Sequence, residues 1–535
     1  MSFSFQPSQK RNILCVFPKY SHSFGTFNYA FVLMGPVKAF MPPQGILLIA
    51  ALLPKEWEVR FVDENVRPTT DQELKWADAV FLSGMHIQRG QISDINRRAH
   101  AHGKITVLGG PSVSSAPEFY PGIDLLHCGE IGDATLELFK SLDTSVERPS
   151  GQIIFRTLER LDMTEFPTPA YHHIKMSNYL LGSIQFSSGC PFTCEFCDIP
   201  GLYGRNPRLK KPEQIIKELD ILADAGVPSV YFVDDNFIGN PKAALELLPH
   251  LVEWQKKRDY TVLLSCEATM NLSQHTKILE LMQQAFFTNV FCGIETPEAG
   301  ALKAMKKMQN LRTPIEEAIT TFNSYGIEVA SGIIMGMDTD TERTPQAIID
   351  FIQATHIPIA TVNILYALPK TALYDRLSAA NRLVDDTNRD SNIEFLMPYE
   401  TLVKNWKRVI HDIYNADALY ARYAYQSAHT FPNRKKPVYP LRQLNWRNLS
   451  RALDISIRIL WHVGIKSPYR SLFWKMAKSQ FKAGAIENIF QIAMVAHHLI
   501  TYGADCVNGK VQASNYSYRA VEPENKNEPA ALSAA

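Results

Sequence analysis

From Ile13 onward the chain alternates short apolar runs with stretches whose apolar residues recur at helical spacing. The runs Ile13–Phe17, Glu58–Asp63, Ala79–Gly84, Ile105–Gly110 and Leu125–Glu130 read as buried parallel strands, and Ser93–His102 and Thr135–Leu142 as helices between them. That alternation predicts an α/β domain over residues 1–145, a doubly wound, Rossmann-like parallel sheet. Residues 146–180, with Pro149, Pro167 and Pro169, read as a linker. A second alternation follows, with strands at Ser183–Ser187, Val230–Val233, Thr261–Cys266, Asn289–Ile294, Glu328–Met335 and Ala360–Leu365 and helices such as Pro212–Ala225, Lys242–Lys257 and Pro345–Gln353. Periodicity alone makes residues 181–397 an α/β barrel or sheet. Beyond Pro398 the pattern is helical and aromatic to about residue 520, and the tail 521–535, rich in Glu, Asn, Pro and Ala, reads as disordered.

Composition narrows the class. A chain of 535 residues has room for about three domains. Its 46% hydrophobic and 20% charged content is that of a globular protein. The net charge of +1 offers no global field for nucleic acid. No apolar run approaches the roughly 18–20 residues that span a bilayer, and the polar stretch Met1–Asn12 lacks the features of a secretory signal. A cytoplasmic protein is expected, with its thiols reduced. Eight cysteines are too few for a disulfide scaffold in a chain of this length.

Three of those cysteines carry the most specific signal. Cys190-Pro-Phe-Thr-Cys194-Glu-Phe-Cys197 places three thiols in one loop just after a strand. Such a set can hold three irons of a cubane cluster and leave the fourth open to a ligand that is not protein. Structural zinc takes four protein ligands, and no nearby cysteine or histidine supplies the fourth. In the first domain, ligand contacts are expected beyond the carboxyl ends of the strands. Tyr20, His22 and Gly25 stand there, as do Ser83 and the Gly109-Gly110 pair. Adjacent glycines serve ordinary turns and also admit a large planar ligand. Cys15, Cys128, Cys266, Cys292 and Cys506 read as core residues, and Tyr366 at a strand end reads either as core or as facing a substrate.

The cysteine loop resembles the signature of the radical S-adenosylmethionine enzymes. The motif His22-x-x-Gly25, with Ser83 and Gly109-Gly110, resembles the cobalamin-binding pattern D-x-H-x-x-G, S-x-L and G-G, with Tyr20 in place of its Asp. Together they resemble the cobalamin-dependent radical methylases. Phe17–Phe27, Phe40–Gly45, Phe61–Asn65 and Cys197–Asn206 are similar to the members that methylate bacterial hopanoid lipids.

That resemblance implies a partial (β/α)6 barrel and three cofactors: a 4Fe-4S cluster on Cys190, Cys194 and Cys197, S-adenosylmethionine and cobalamin. It implies methylation of an unactivated carbon, here C-2 of hopanoid ring A, and a low-potential electron donor such as ferredoxin or flavodoxin. Asp234 and Asp235 take the place of a family motif that holds the cosubstrate's amino group, or else cap the following helix. Glu295 corresponds to a carboxylate near the methionyl and ribose groups, the plain alternative being a solvated strand end. Gly332-Ile333-Ile334-Met335-Gly336 fits a run whose backbone contacts adenine, and by itself is a buried strand with a glycine at each end. His22 is a cobalt ligand or a loop contact at the cofactor's edge.

The C-terminal third adds a partner. From Arg434 to Lys482 twelve bases face one acid, Asp454, among Trp446, Trp461 and Trp474. Such a segment can lie on an anionic membrane surface, or be a solvated helical face closing the active site. Nucleic acid is disfavoured because no recognised RNA-binding module accompanies the bases. Two other readings stand beside the lipid methylase: the same chemistry on a tetrapyrrole or peptide, and a sensor without turnover.

Overall fold

The computed structural model describes residues 5–386, 388–436, 446–514 and 516, without the side chains of residues 447 and 448. The tail 521–535 and Arg442 lie outside the described residues.

The first sheet has six parallel strands: β1 (Asn12–Phe17), β2 (Glu58–Asp63), β3 (Ala79–Ser83), β4 (Ile105–Gly109), β5 (Leu125–Cys128) and β6 (Ile153–Arg156). They run in the order β2-β1-β3-β4-β5-β6, so the winding reverses between β1 and β3. A ligand crevice is expected at that reversal, beyond the strands' carboxyl ends. Separate apolar cores cover the two faces, which is why these strands carry near-continuous apolar runs. β6 corrects the expectation of a linker over 146–180. Its Ile153 and Ile154 are exposed, so this edge strand lacks the buried run that marks its neighbours, and pairing with β5 alone defines it.

The second sheet is also parallel and follows chain order: β7 (Gly182–Ile184), β10 (Ser229–Phe232), β11 (Leu263–Ala268), β12 (Phe287–Glu295), β13 (Glu328–Met335) and β14 (Ile359–Ile364). Between β7 and β10 a two-residue pair, β8 (Ser187–Ser188) and β9 (Arg208–Leu209), closes antiparallel. Along these strands the positions facing the helices are buried, while the lumen positions Tyr231, Glu267, Phe291, Gly293, Gly332 and Ile334 are incompletely buried. The barrel is therefore hollow.

A partial barrel leaves two open strand edges, which other segments cover. On β7, Tyr171 Oη and Gln44 Nε2 donate to the Ser183 carbonyl at 2.8 and 2.5 Å. On β14, Trp406 Nε1 donates to Val362 O at 2.8 Å, and the Tyr414 hydroxyl donates to Ala360 O at 2.5 Å while accepting from Ala360 N at 2.8 Å. Those two aromatics lie on helix Tyr399–Tyr414. Helices Ala416–His429, Trp446–Ile459, Arg470–Lys482 and Ile486–Val507 complete the C-terminal third, and one apolar core runs from the barrel into them. Among the described residues no helix is long and apolar enough to cross a membrane.

Candidate active site

The β8–β9 pair makes a closed loop of residues 189–207, and all three cysteines of the motif lie in it. Gly189 has φ +102°, and a Cβ there would stand 2.9 Å from the Gly204 carbonyl, so this close crossing requires glycine. Cys190 N donates to that same carbonyl at 3.1 Å. The three thiols are free and partly buried. Burial raises the pKa of Cys190 and Cys197, and the neighbouring cysteines add to the rise. Among the described residues no three His, Cys, Asp or Glu side chains form a group that would hold a single metal ion. A cluster, whose irons are separate, suits three thiols spread along one loop better than a lone zinc does.

The two aspartates meet this loop rather than a helix. Asp234 Oδ1 accepts from Phe186 N at 2.7 Å and Ser187 N at 3.1 Å, and Oδ2 accepts from Ser187 Oγ at 3.0 Å. Burial pushes its carboxyl up to about 7. Asp235 Oδ2 accepts from Gly189 N at 2.6 Å. The helix that follows is capped by Asn240, whose side chain accepts from Ala243 N, which corrects the capping alternative. Asp234 takes three hydrogen bonds from the chain leading into the cysteines and so positions that chain.

Glu295 is buried, not solvated. It has φ +68°, sits at a register shift where β12 leaves β13, and pairs with the Lys307 ammonium. A Cβ on Gly293 would fall 2.3 Å from Glu295 Oε1 and 2.7 Å from Lys307 Nζ, so that glycine makes room for the pair. Burial works against the Lys307 charge, but Glu295 and Cys194 hold its pKa above the ordinary value. Gln309 Nε2 donates to Cys194 Sγ at 3.4 Å. Lys307 and Gln309 escaped the sequence analysis because a polar run, Lys303–Asn310, looks like a solvated turn. Gly332 and Ile334 face the lumen beside Glu295, and Gly336 turns the chain away at φ +97°.

In the first domain, His22 is exposed and its ring meets Tyr29 edge-on at 5.7 Å. Tyr20, in place of the motif's Asp, accepts from Phe40 N at 2.9 Å. Gly110 has φ +104°, and a Cβ there would stand 3.0 Å from Ser83 Oγ and 3.1 Å from Gly84 O, so the ends of β3 and β4 approach closely. Gly109 has no such crowding. The unforeseen Gln88 is fully buried and ties the reversal together, donating to Pro18 O after β1 while accepting from Met85 N after β3. Glu130, beyond β5, accepts from Ser188 Oγ at 3.0 Å and pairs with Arg208, locking the first domain to the mouth of the cysteine loop.

A cavity of about 1670 Å³ occupies the amino-terminal half of the lumen and the space between it and the C-terminal helices. Its inner end is lined by Glu267 and Phe291, and one wall by Ser23, Gly25 and Phe27 from the segment after β1. Burial, followed by repulsion from Asp235 and Asp234, pushes Glu267 up to about 8. Ligand pockets more commonly hold about 300–1,000 Å³, so the space suits a large guest.

Family models match three stretches: a B12 binding domain over residues 31–139, the radical SAM superfamily over 184–352, and a domain of unknown function over 371–512. Hopanoid C-2 methylase of Rhodopseudomonas palustris is 55% identical over 510 residues, 95% of this chain and 97% of that protein. An uncharacterized methyltransferase of Synechocystis sp. is 33% identical over 97% of both chains. Among solved structures, the cobalamin-dependent S-adenosylmethionine radical enzyme OxsB, with aqua-cobalamin and S-adenosylmethionine bound, matches with a TM-score of 0.59 at 16% identity. That match covers 95% of this chain and 82% of OxsB and speaks for the fold.

Proposed function

The chain belongs to the cobalamin-dependent radical S-adenosylmethionine methyltransferases, in the family of hopanoid C-2 methylase, and from that premise we propose that it methylates C-2 of ring A of a hopanoid lipid. Its cofactors are a 4Fe-4S cluster, S-adenosylmethionine and cobalamin. When bound, these supply a carbon radical able to take hydrogen from a saturated carbon, and the methyl group that replaces that hydrogen. Polar methyl transfer fails at such a carbon, which has neither a lone pair nor an acidic proton.

The chain's own residues bind, orient and exclude water. Cys190, Cys194 and Cys197 hold the cluster, on a loop fixed by Asp234, Asp235 and Glu130. The Glu295–Lys307 pair would offer both signs of charge to the ammonium and carboxylate of the cosubstrate, and Gly332, Ile334 and Gly336 would hold its adenosine. The loops bearing His22, Gly25, Ser83, Gly109 and Gly110 would hold cobalamin. The observation that carries the lipid reading is the lumen cavity, which is large, is lined mostly by apolar side chains and borders the Gly25 segment. A polycyclic hydrocarbon fits so large an apolar space and keeps its apolar surface out of water there. The enzyme works in the cytoplasm against the inner face of the membrane, drawing electrons from a ferredoxin or flavodoxin.

The test is expression in a bacterium that makes only unmethylated hopanoids, with a Cys194→Ala control, followed by mass spectrometry of the lipids. A product heavier by one methylene unit on ring A, absent from the control, is expected. Wild-type protein that cleaves S-adenosylmethionine but leaves hopanoids unchanged would move the substrate to another class, such as a tetrapyrrole or peptide.

A further inference from the structure

The lumen cavity is not closed at the end away from the cysteines. Its lining follows the amino-terminal halves of the strands, through Ser229, Leu263, Thr288, Ala330 and Ile359, and continues onto the C-terminal helices. Helix Trp446–Ile459 carries apolar residues on two adjoining faces. Ile455 and Ile459 line the cavity, while Leu449, Leu453 and Ile457 point to solvent, Leu453 at 60% exposure. The exposed face continues through Trp461 and Trp474 to Phe481, which is 69% exposed. The Trp474 indole N–H is already spent on Gly464 O at 2.9 Å, so what that side chain offers outward is apolar. Single exposed hydrophobes are ordinary, but a run of them on adjoining helices marks a binding face. Over residues 446–482 eight bases accompany one acid, and Asp454 is itself paired with Arg458 at 2.8 Å.

We infer that the substrate enters the barrel at its base, opposite the cysteine loop, directly from an anionic bilayer on which helices Trp446–Ile459 and Arg470–Lys482 rest. The inference deepens the lipid reading above and rests on it. A lipid leaving a bilayer must keep its apolar surface out of water along the whole path. Helix Trp446–Ile459 provides that path, because one side of its apolar belt faces outward and the other faces the lumen. The bases supply attraction to anionic headgroups, and the exposed aromatics suit the headgroup boundary.

The test uses reconstituted full-length enzyme, phosphatidylglycerol vesicles containing unmethylated hopanoid, and two variants. Leu449→Glu/Leu453→Glu/Ile457→Glu should lower vesicle binding more than about tenfold, while detergent-dispersed hopanoid is still methylated. Ala330→Phe, which fills the lumen, should bind vesicles normally and still release 5′-deoxyadenosine, yet lose methylation more than about tenfold. Unchanged vesicle binding by the triple variant, or a concentration-dependent dimer that this variant dissolves, would overturn the bilayer as the occupant. Full methylation by Ala330→Phe would overturn the basal route while leaving the substrate reading intact. Wild-type enzyme that releases 5′-deoxyadenosine without methylating hopanoid in either medium would overturn the substrate reading, and the route with it.

Discussion

Replacing Lys307 with methionine leaves Glu295 as a buried carboxylate without its ammonium. The two side chains are only 8% and 7% exposed, so solvent screens the loss very little. Breaking one half of such a pair costs about 3–5 kcal/mol, because the desolvation of the remaining charge is no longer offset. Barrel and C-terminal helices share one core, and for a unit of that size, about 300 residues or more, the loss corresponds to a fall in Tm of about 4–8 °C. Gly293 leaves no bulk that could close over the carboxylate. Calorimetry of the full chain would therefore show the barrel transition falling by that amount in Lys307→Met. The double variant Lys307→Met/Glu295→Gln should recover at least about half of the loss, since no charge is then buried alone. Both variants should fail to release 5′-deoxyadenosine after reconstitution, which separates the stability effect from the loss of cosubstrate contacts. A single variant melting within about 2 °C of wild type, or a double variant no more stable than the single, would refute the reasoning.

Three further expectations follow from particular residues. His22→Ala should keep cobalamin bound, as read from the visible spectrum of the purified protein, because the exposed ring rests on Tyr29 and Tyr20 is turned to Phe40 N. Spectral loss of cobalamin from a folded variant would make His22 a principal ligand. Glu267 has its carboxyl raised from 4.5 to about 8, so the native state holds its proton while the unfolded chain has released it. Its contribution is full below 4.5 and is lost as pH rises toward about 8, so Glu267→Gln should flatten the decline in stability across that window in denaturant titrations. Gly336→Ala places a Cβ 2.6 Å from Phe395 at a φ of +97°, and should cost about 3 kcal/mol in the same titrations.

The sequence by itself determined the two parallel sheets and the cysteine loop. A strand buried on both faces must be apolar throughout, and three thiols within eight residues are a local fact that needs no partner from elsewhere in the chain. Edge and polar positions carry no such mark. β6 is short and exposed, so only its pairing with β5 distinguishes it from the linker it resembles. Asp234 and Asp235 look equally suited to a helix cap or a cation, and only tertiary contact with Phe186, Ser187 and Gly189 shows that they brace the cysteine loop rather than cap the helix. Lys307 and Gln309 reach the cysteines across more than a hundred residues of chain, and the lumen is known to be hollow only once the strands are assembled and its inward positions are seen to stay incompletely buried. Periodicity records which face of an element is apolar, whereas which polar group meets which, and where space remains, is settled only by how the elements pack.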